Sequence, residues 1–134
     1  MPQYRISEVA GLLGVSDDTV RRWVDTGALG ASTDASGRLV VDGVDAAQRA
    51  VELADAIEDP SGVARSARNR FVGLVTRIQR DGIMAQVDIQ AGPHRVVSLM
   101  SAEAVDDLAL EVGSLAIAVV KATTVIVETP ASGR

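Results

Sequence analysis

The 134 residues are 47% hydrophobic, with no apolar run of membrane-spanning length, a composition that fits one globular domain or two small ones. The chain has no cysteine, which excludes disulfides and thiolate metal sites. A formal net charge of −5 argues against indiscriminate nucleic-acid binding, and the acid is concentrated: between positions 42 and 59 stand Asp42, Asp45, Glu52, Asp55, Glu58 and Asp59 against only Arg49.

The opening Met1-Pro2-Gln3-Tyr4-Arg5 has no signal-type apolar stretch behind it, which points to the cytoplasm and away from a membrane. A first short helix is expected within Ile6 to Gly14, capped by Ser7, with Glu8 in its first turn and Val9, Leu12 and Leu13 on one face; Gly14 stops it. Ser16 is the expected N-cap of a second helix. That helix buries Val20, Trp23 and Val24 and leaves Arg21 and Arg22 outward, and Gly27 ends it. Trp23 shares its face with Val20 and Val24, so it reads as core and not as a base-stacking residue. A turn and strand follow at Ser36-Gly37-Arg38-Leu39-Val40-Val41. A third helix from Asp42 to Ile57, capped by Asp42, carries the apolar stripe Val44, Ala47, Ala50, Val51 and Ala54.

This order, and Val15-Ser16-Asp17-Asp18-Thr19-Val20-Arg21-Arg22-Trp23 in particular, resembles the winged helix-turn-helix of the MerR and excisionase type. The resemblance implies a second helix in the major groove of double-stranded DNA and a wing on its backbone. The expected DNA-binding residues are then Ser16, Thr19, Arg21, Arg22 and Arg38.

Residues 58–65, with Pro60 and Gly62, read as a linker between a DNA-binding domain at 1–57 and a second domain at 66–130, with a tail at 131–134. In the second domain β-branched runs predict five strands: Phe71 to Ile78, Ile83 to Ile89, Arg95 to Leu99, Leu115 to Val120 and Thr124 to Val127. A short helix from Ala102 to Leu108, capped by Ser101, stands between the third and fourth, which suits a small OB-like β-barrel. The expected fold class is therefore α+β, a mostly helical N-terminal unit followed by a small barrel. Ser66-Ala67-Arg68-Asn69 and Lys121-Ala122-Thr123 bring hydroxyls, an amide and two cations without any carboxylate. That is a donor set for a tetrahedral dianion. His94 reads as an exposed turn residue, and no ligand-type partner suggests a metal there.

Ser-Ala-Arg-Asn, the short helix Ala104-Val105-Asp106-Asp107-Leu108, the Val112-Gly113 turn and Lys121-Ala122-Thr123, in that order, resemble the molbindin (Mop) domain over about Ser66 to Glu128. The resemblance implies molybdate or tungstate bound by Ser66, Ala67, Arg68, Asn69, Ser101, Ala104, Lys121 and Ala122. It also implies a homo-oligomer of strand-exchanged barrels, a hexamer built as a trimer of dimers, with the oxyanion between subunits. Where that family often has Thr-x-x-Ser, this chain has Ser101-Ala102-Glu103-Ala104, so Ala104 offers only its backbone N–H.

Joined, the halves suggest an oxyanion-responsive transcriptional regulator. Two other readings stay open: a storage or buffering protein with a weak helix-turn-helix, which the acidic segment favours, and a single-strand nucleic-acid binder, for which one aromatic residue, Phe71, is a poor platform. Sulfate and phosphate are also ligands of Arg and Ser clusters. An enzyme is not expected, because nucleophile pairs, metal clusters and phosphate loops are all missing.

Overall fold

A computed structural model describes residues 2–54, 62, 64, 66 and 68–130. The chain divides into two compact units, the second starting near Ile57. Most of the expected linker 58–65, the site residue Ala67, residues 55–57 of the expected third helix and the tail 131–134 lie outside the described residues.

The first unit contains strand β1 (Gln3–Arg5), helices α1 (Ile6–Leu13) and α2 (Asp17–Asp25), strands β2 (Ser32–Thr33) and β3 (Leu39–Asp42), and helix α3 (Gly43–Leu53). β3 is the middle strand of a small antiparallel sheet, pairing Tyr4 with Val41 on one side and Ser32 with Val40 on the other. β1 was not expected from the sequence, because three residues show too little alternation to register as a strand. The core is Ile6, Val9, Ala10, Val20, Leu29, Val41 and Ala46, with Trp23 and Val24 packed against it.

Helix starts differ from expectation at two points. Ser7 lies inside α1 and does not cap it; Arg5 is the N-cap residue, and its backbone N–H donates to Glu8 Oε1 at 3.2 Å. Asp42 is at the N-cap position of α3, but its side chain makes no capping bond and Oδ1 accepts from Gln3 Nε2 at 3.2 Å. α3 stops at Leu53, short of the expected Ile57, because Ala54 turns to extended backbone at ψ 104°. Its expected apolar stripe is also not buried: Ala46 packs into the core, whereas Val44 is 64% and Val51 71% exposed.

The second unit is an antiparallel sheet in the order β6-β5-β4-β7, a curled half-barrel made of β4 (Asn69–Asp81), β5 (Met84–Ala91), β6 (His94–Ser101) and β7 (Leu115–Val120), with helix α4 (Ala102–Asp107) between β6 and β7. Val75, Ala85, Val87 and Ile89 of the inner face bury Val105 of α4 completely. At about 25 cal/mol per Å² of apolar surface, burying one such valine is worth about 1.5–3 kcal/mol. A bulge between Val75 and Arg77 bends β4 and shifts its register against β5.

Among the described residues four strands form, not five. Ala122–Thr124 is a 3₁₀ turn in which Thr124 donates through Oγ1 to Lys121 O at 2.8 Å, and Ile126 and Val127, each 87% exposed, follow without regular structure. Among the described residues this segment pairs with no strand, and β-propensity alone does not make one.

Candidate functional site

In the first unit the DNA-facing candidates are set by α2. Ser16 caps it as expected, its Oγ accepting from Thr19 N–H at 3.1 Å and lying 2.9 Å from Thr19 Oγ1, so these two hydroxyls are tied together at the helix start. Val20 anchors the helix at 0% exposure, and the 3.6-residue period then turns Arg21 and Arg22 to solvent. Arg21 Nη1 stands 3.7 Å from Asp18 Oδ1, an exposed pair that leaves the guanidinium available. Trp23 is occupied elsewhere: the Arg49 guanidinium lies 4.5 Å over its ring. Gly27, at φ +81°, ends the helix in a conformation that a side chain would strain.

Arg38 projects from the β2–β3 hairpin, whose tip depends on a residue the sequence reading passed over. Asp34 Oδ1 accepts from the N–H groups of both Ser36 (2.8 Å) and Arg38 (2.9 Å), and Asp34 N–H donates to Arg38 O at 2.8 Å. An Asx turn of this kind is legible as Asp two residues before Ser-Gly.

In the second unit the expected anion donors fall into two groups. Asn69 pairs with Val120, which brings Arg68 and Lys121 to one end of the β4–β7 ladder. Ser66, Arg68 and Lys121 are exposed there. Ser101 closes β6 opposite Met84, whose other ladder partner is Asp81, the last residue of β4. The thirteen residues of β4 therefore separate the two groups, roughly 40 Å of strand contour at about 3.3 Å per residue. One chain does not bring all the expected donors together.

Around Ser101 the geometry is fixed by three bonds. Ser101 Oγ accepts from Ala104 N–H at 3.0 Å, Ala102 N–H donates to Ile83 O at 2.8 Å, and Arg80 Nη2 holds Asp106 Oδ1 at 2.8 Å. Ala104 N–H is thus engaged in the cap. The Ser101 hydroxyl hydrogen remains to be donated. Ala122 sits at the start of the 3₁₀ turn, and Lys121 is its N-cap.

On the opposite sheet face Asp88 is 5% exposed. Its Oδ2 accepts from Arg95 Nε at 3.1 Å and Nη2 at 2.8 Å, and its Oδ1 from Gln86 Nε2 at 3.1 Å. The Arg95 hydrogen bonds, and then the one from Gln86, hold its carboxyl below the usual carboxylate range against the opposing effect of burial. Among the described residues no group of three His, Asp or Glu is placed to hold a metal ion, and no helix is long and apolar enough to cross a membrane.

Comparison with known proteins agrees with this division. A TOBE domain model matches residues 65–127, and a MerR HTH family regulatory protein model matches residues 4–41. The chain is 44% identical over 63 residues to a probable molybdenum-pterin-binding protein of Haemophilus influenzae, covering 46% of this chain and 91% of that one. It is 36% identical over 69 residues to the molybdenum transport protein ModE of Herbaspirillum seropedicae, covering 51% of this chain but only 26% of that protein's length. A crystal structure of the cytoplasmic molybdate-binding protein ModG with molybdate bound superposes with a TM-score of 0.50 at 37% identity, over 54% of this chain and 52% of that one. These relatives are named for transport and binding, not for catalysis. The chain therefore belongs to the TOBE family, as a Mop-type domain in its C-terminal half, fused to a MerR-family helix-turn-helix at its N-terminus.

Proposed function

We propose that this protein is a DNA-binding transcriptional regulator that responds to molybdate or tungstate held between copies of its Mop-type domain. The observation that carries the reading is the separation of donors along β4. Ser66, Arg68, Asn69 and Lys121 gather at one end and Ser101 at the other, so a donor set matched to a dianion is completed where the end of one copy meets the opposite end of another. Ala67 and Ala122 would add backbone N–H groups, and the Ser101 hydroxyl replaces the Ala104 N–H as the donor from the helix end.

The relatives named for molybdenum and molybdate support the choice of ligand. Tungstate is included because it shares charge, shape and size with molybdate, whereas sulfate shares charge and shape but is smaller. A site between copies couples ligand to assembly, and assembly sets the spacing of the α2 helices on DNA; this is linkage between two binding equilibria. The reading carries with it a homo-oligomer, a hexamer arranged as a trimer of dimers, a cytoplasmic location, and functional boundaries at 1–57, 58–65, 66–130 and 131–134.

Two experiments test it. Calorimetry of the full chain with molybdate, tungstate and sulfate should show binding of the first two and weak or no binding of sulfate. Selection of bound DNA from a random duplex pool, with and without molybdate, should enrich a sequence whose affinity changes with the anion. Anion binding without any enriched sequence would move the assignment to storage or buffering, and no anion binding would end it.

A further inference from the structure

The outward row of α2 is not the basic surface that binding to the DNA backbone asks for. Val20 fixes the inner side of the helix, and the 3.6-residue period sets Asp18, Arg21, Arg22 and Asp25 opposite it, all exposed. Two carboxylates thus stand among two guanidiniums. Over residues 1–54 eight Asp and Glu side chains stand against five Arg and no Lys, so attraction to phosphate, the source of sequence-independent affinity, is weak in this unit. Asp18 is the sharpest case. It lies in the first turn of the helix, its side chain is 98% exposed, and its Oδ1 is 3.7 Å from Arg21 Nη1. Beside a phosphate such a carboxylate only repels.

We infer that Asp18 reads a base, and that Asp18 and Arg21 together select one C·G base pair in the major groove. The inference rests on the DNA-binding reading above and specifies what that reading leaves open, namely the base required under the start of α2. A carboxylate can only accept hydrogen bonds. In the major groove guanine and thymine meet it with acceptor atoms, adenine sets the acceptor N7 beside its amino group, and cytosine alone shows an amino donor with no acceptor next to it. Asp18 therefore favours cytosine and works against the other three. The guanine paired with that cytosine presents O6 and N7, the two acceptors that suit a guanidinium. An acceptor and a donor 3.7 Å apart on one helix face match the amino group and the oxygen that one C·G pair sets side by side. Selectivity then comes from repulsion of wrong bases as much as from attraction to the right one. Asp17 has the same charge and is also exposed, but the helical period turns it off this row toward the Val24 side.

Selection of bound duplexes from a random pool, with and without molybdate, is run on the full-length wild type and on Asp18→Asn, Asp18→Ala and Asp17→Asn. Wild type should enrich sites with a C·G pair at one fixed position of each half-site. Asp18→Asn, whose amide suits N6 and N7 of adenine, should move that position from C toward A. Asp18→Ala should lower the preference there about tenfold and leave the other positions of the site as they are. All three variants remove a negative charge from an exposed position, so each should keep the wild-type circular dichroism spectrum and bind random duplex more tightly. Only the two Asp18 variants should change the base. A motif that both Asp18 variants leave intact would overturn the inference while the DNA-binding reading stands. So would the same base change produced by Asp17→Asn, because charge and not position would then be the cause. A wild type that enriches no sequence under either condition would overturn both.

Discussion

Asn69 stands directly opposite Val120 in the β4–β7 ladder, and this pairing carries Arg68 and Lys121 to the same end of the sheet although 52 residues of sequence lie between them. Two cations held close by strand pairing repel each other, and an anion between them relieves the repulsion. Arg68→Ala or Lys121→Ala should therefore weaken molybdate binding by about 2–5 kcal/mol, about thirtyfold or more in Kd by calorimetry. Equal affinity for wild type and the double variant would refute the assignment.

Ser101 belongs to the opposite end of the sheet, which yields a test that a site within one chain would fail. Arg68→Ala and Ser101→Ala copies should each bind molybdate poorly alone. Coassembled, they should regain a fraction of wild-type-affinity sites, because some junctions then pair an intact Arg68 end with an intact Ser101 end. Mixtures that bind no better than the weaker parent would place the site inside a single copy.

The DNA contacts proposed for α2 rest on a helix whose inner face is fixed and whose outer face is exposed. Arg21→Ala or Arg22→Ala should cost about 1–3 kcal/mol in operator affinity where the side chain reads a base, or lower the salt slope by about one where it holds a phosphate. Arg38→Ala should act mainly on the salt-dependent part. Asp34→Ala should mimic it without removing a cation, by releasing the two N–H groups that shape the hairpin tip. A salt series of binding isotherms separates these cases.

What could be read in advance follows from how local each signal is. Ser16, Thr19 and the α2 pattern were legible because a cap and a 3.6-residue period are decided within a few residues. The strands of the second unit were legible for the same reason, although β4 runs longer at both ends than its β-branched centre suggests. The rest required partners the sequence does not display. Val44, Ala47 and Val51 looked like core because periodicity reports an apolar face and not what covers it. Thr124 to Val127 looked like a strand because β-propensity reports a side-chain preference and not whether the segment reaches a partner strand.

Gly73 shows a constraint no sequence period reveals. It lies where β4 approaches β5 so closely that an added Cβ would run into the backbone oxygen of Gln90. Backbone cannot move aside as a side-chain tip can, so Gly73→Ala should force the two strands apart at the cost of about 1–3 kcal/mol. Denaturant unfolding followed by far-ultraviolet circular dichroism checks it; an unchanged midpoint would mean the strands separate freely.

Asp88 provides the acid-side prediction. Its carboxyl, held below the usual carboxylate range by Arg95 and then Gln86, binds a proton less readily in the folded sheet than in the unfolded chain. The sign follows from linkage: the stabilisation is complete above the ordinary carboxylate pKa and disappears as pH falls through the depressed folded value. Stability of the second unit should therefore decline on the acid side, and Asp88→Asn should be less stable at neutral pH with a flatter acid limb. The single tryptophan and single tyrosine, Trp23 and Tyr4, both lie in the first unit, so intrinsic fluorescence reports that unit. The sheet must be followed by circular dichroism or by the amide resonances of β5 and β6. If Asp88→Asn shows the same acid limb as wild type in those probes, the Asp88–Arg95 pair is not what ties the sheet to pH.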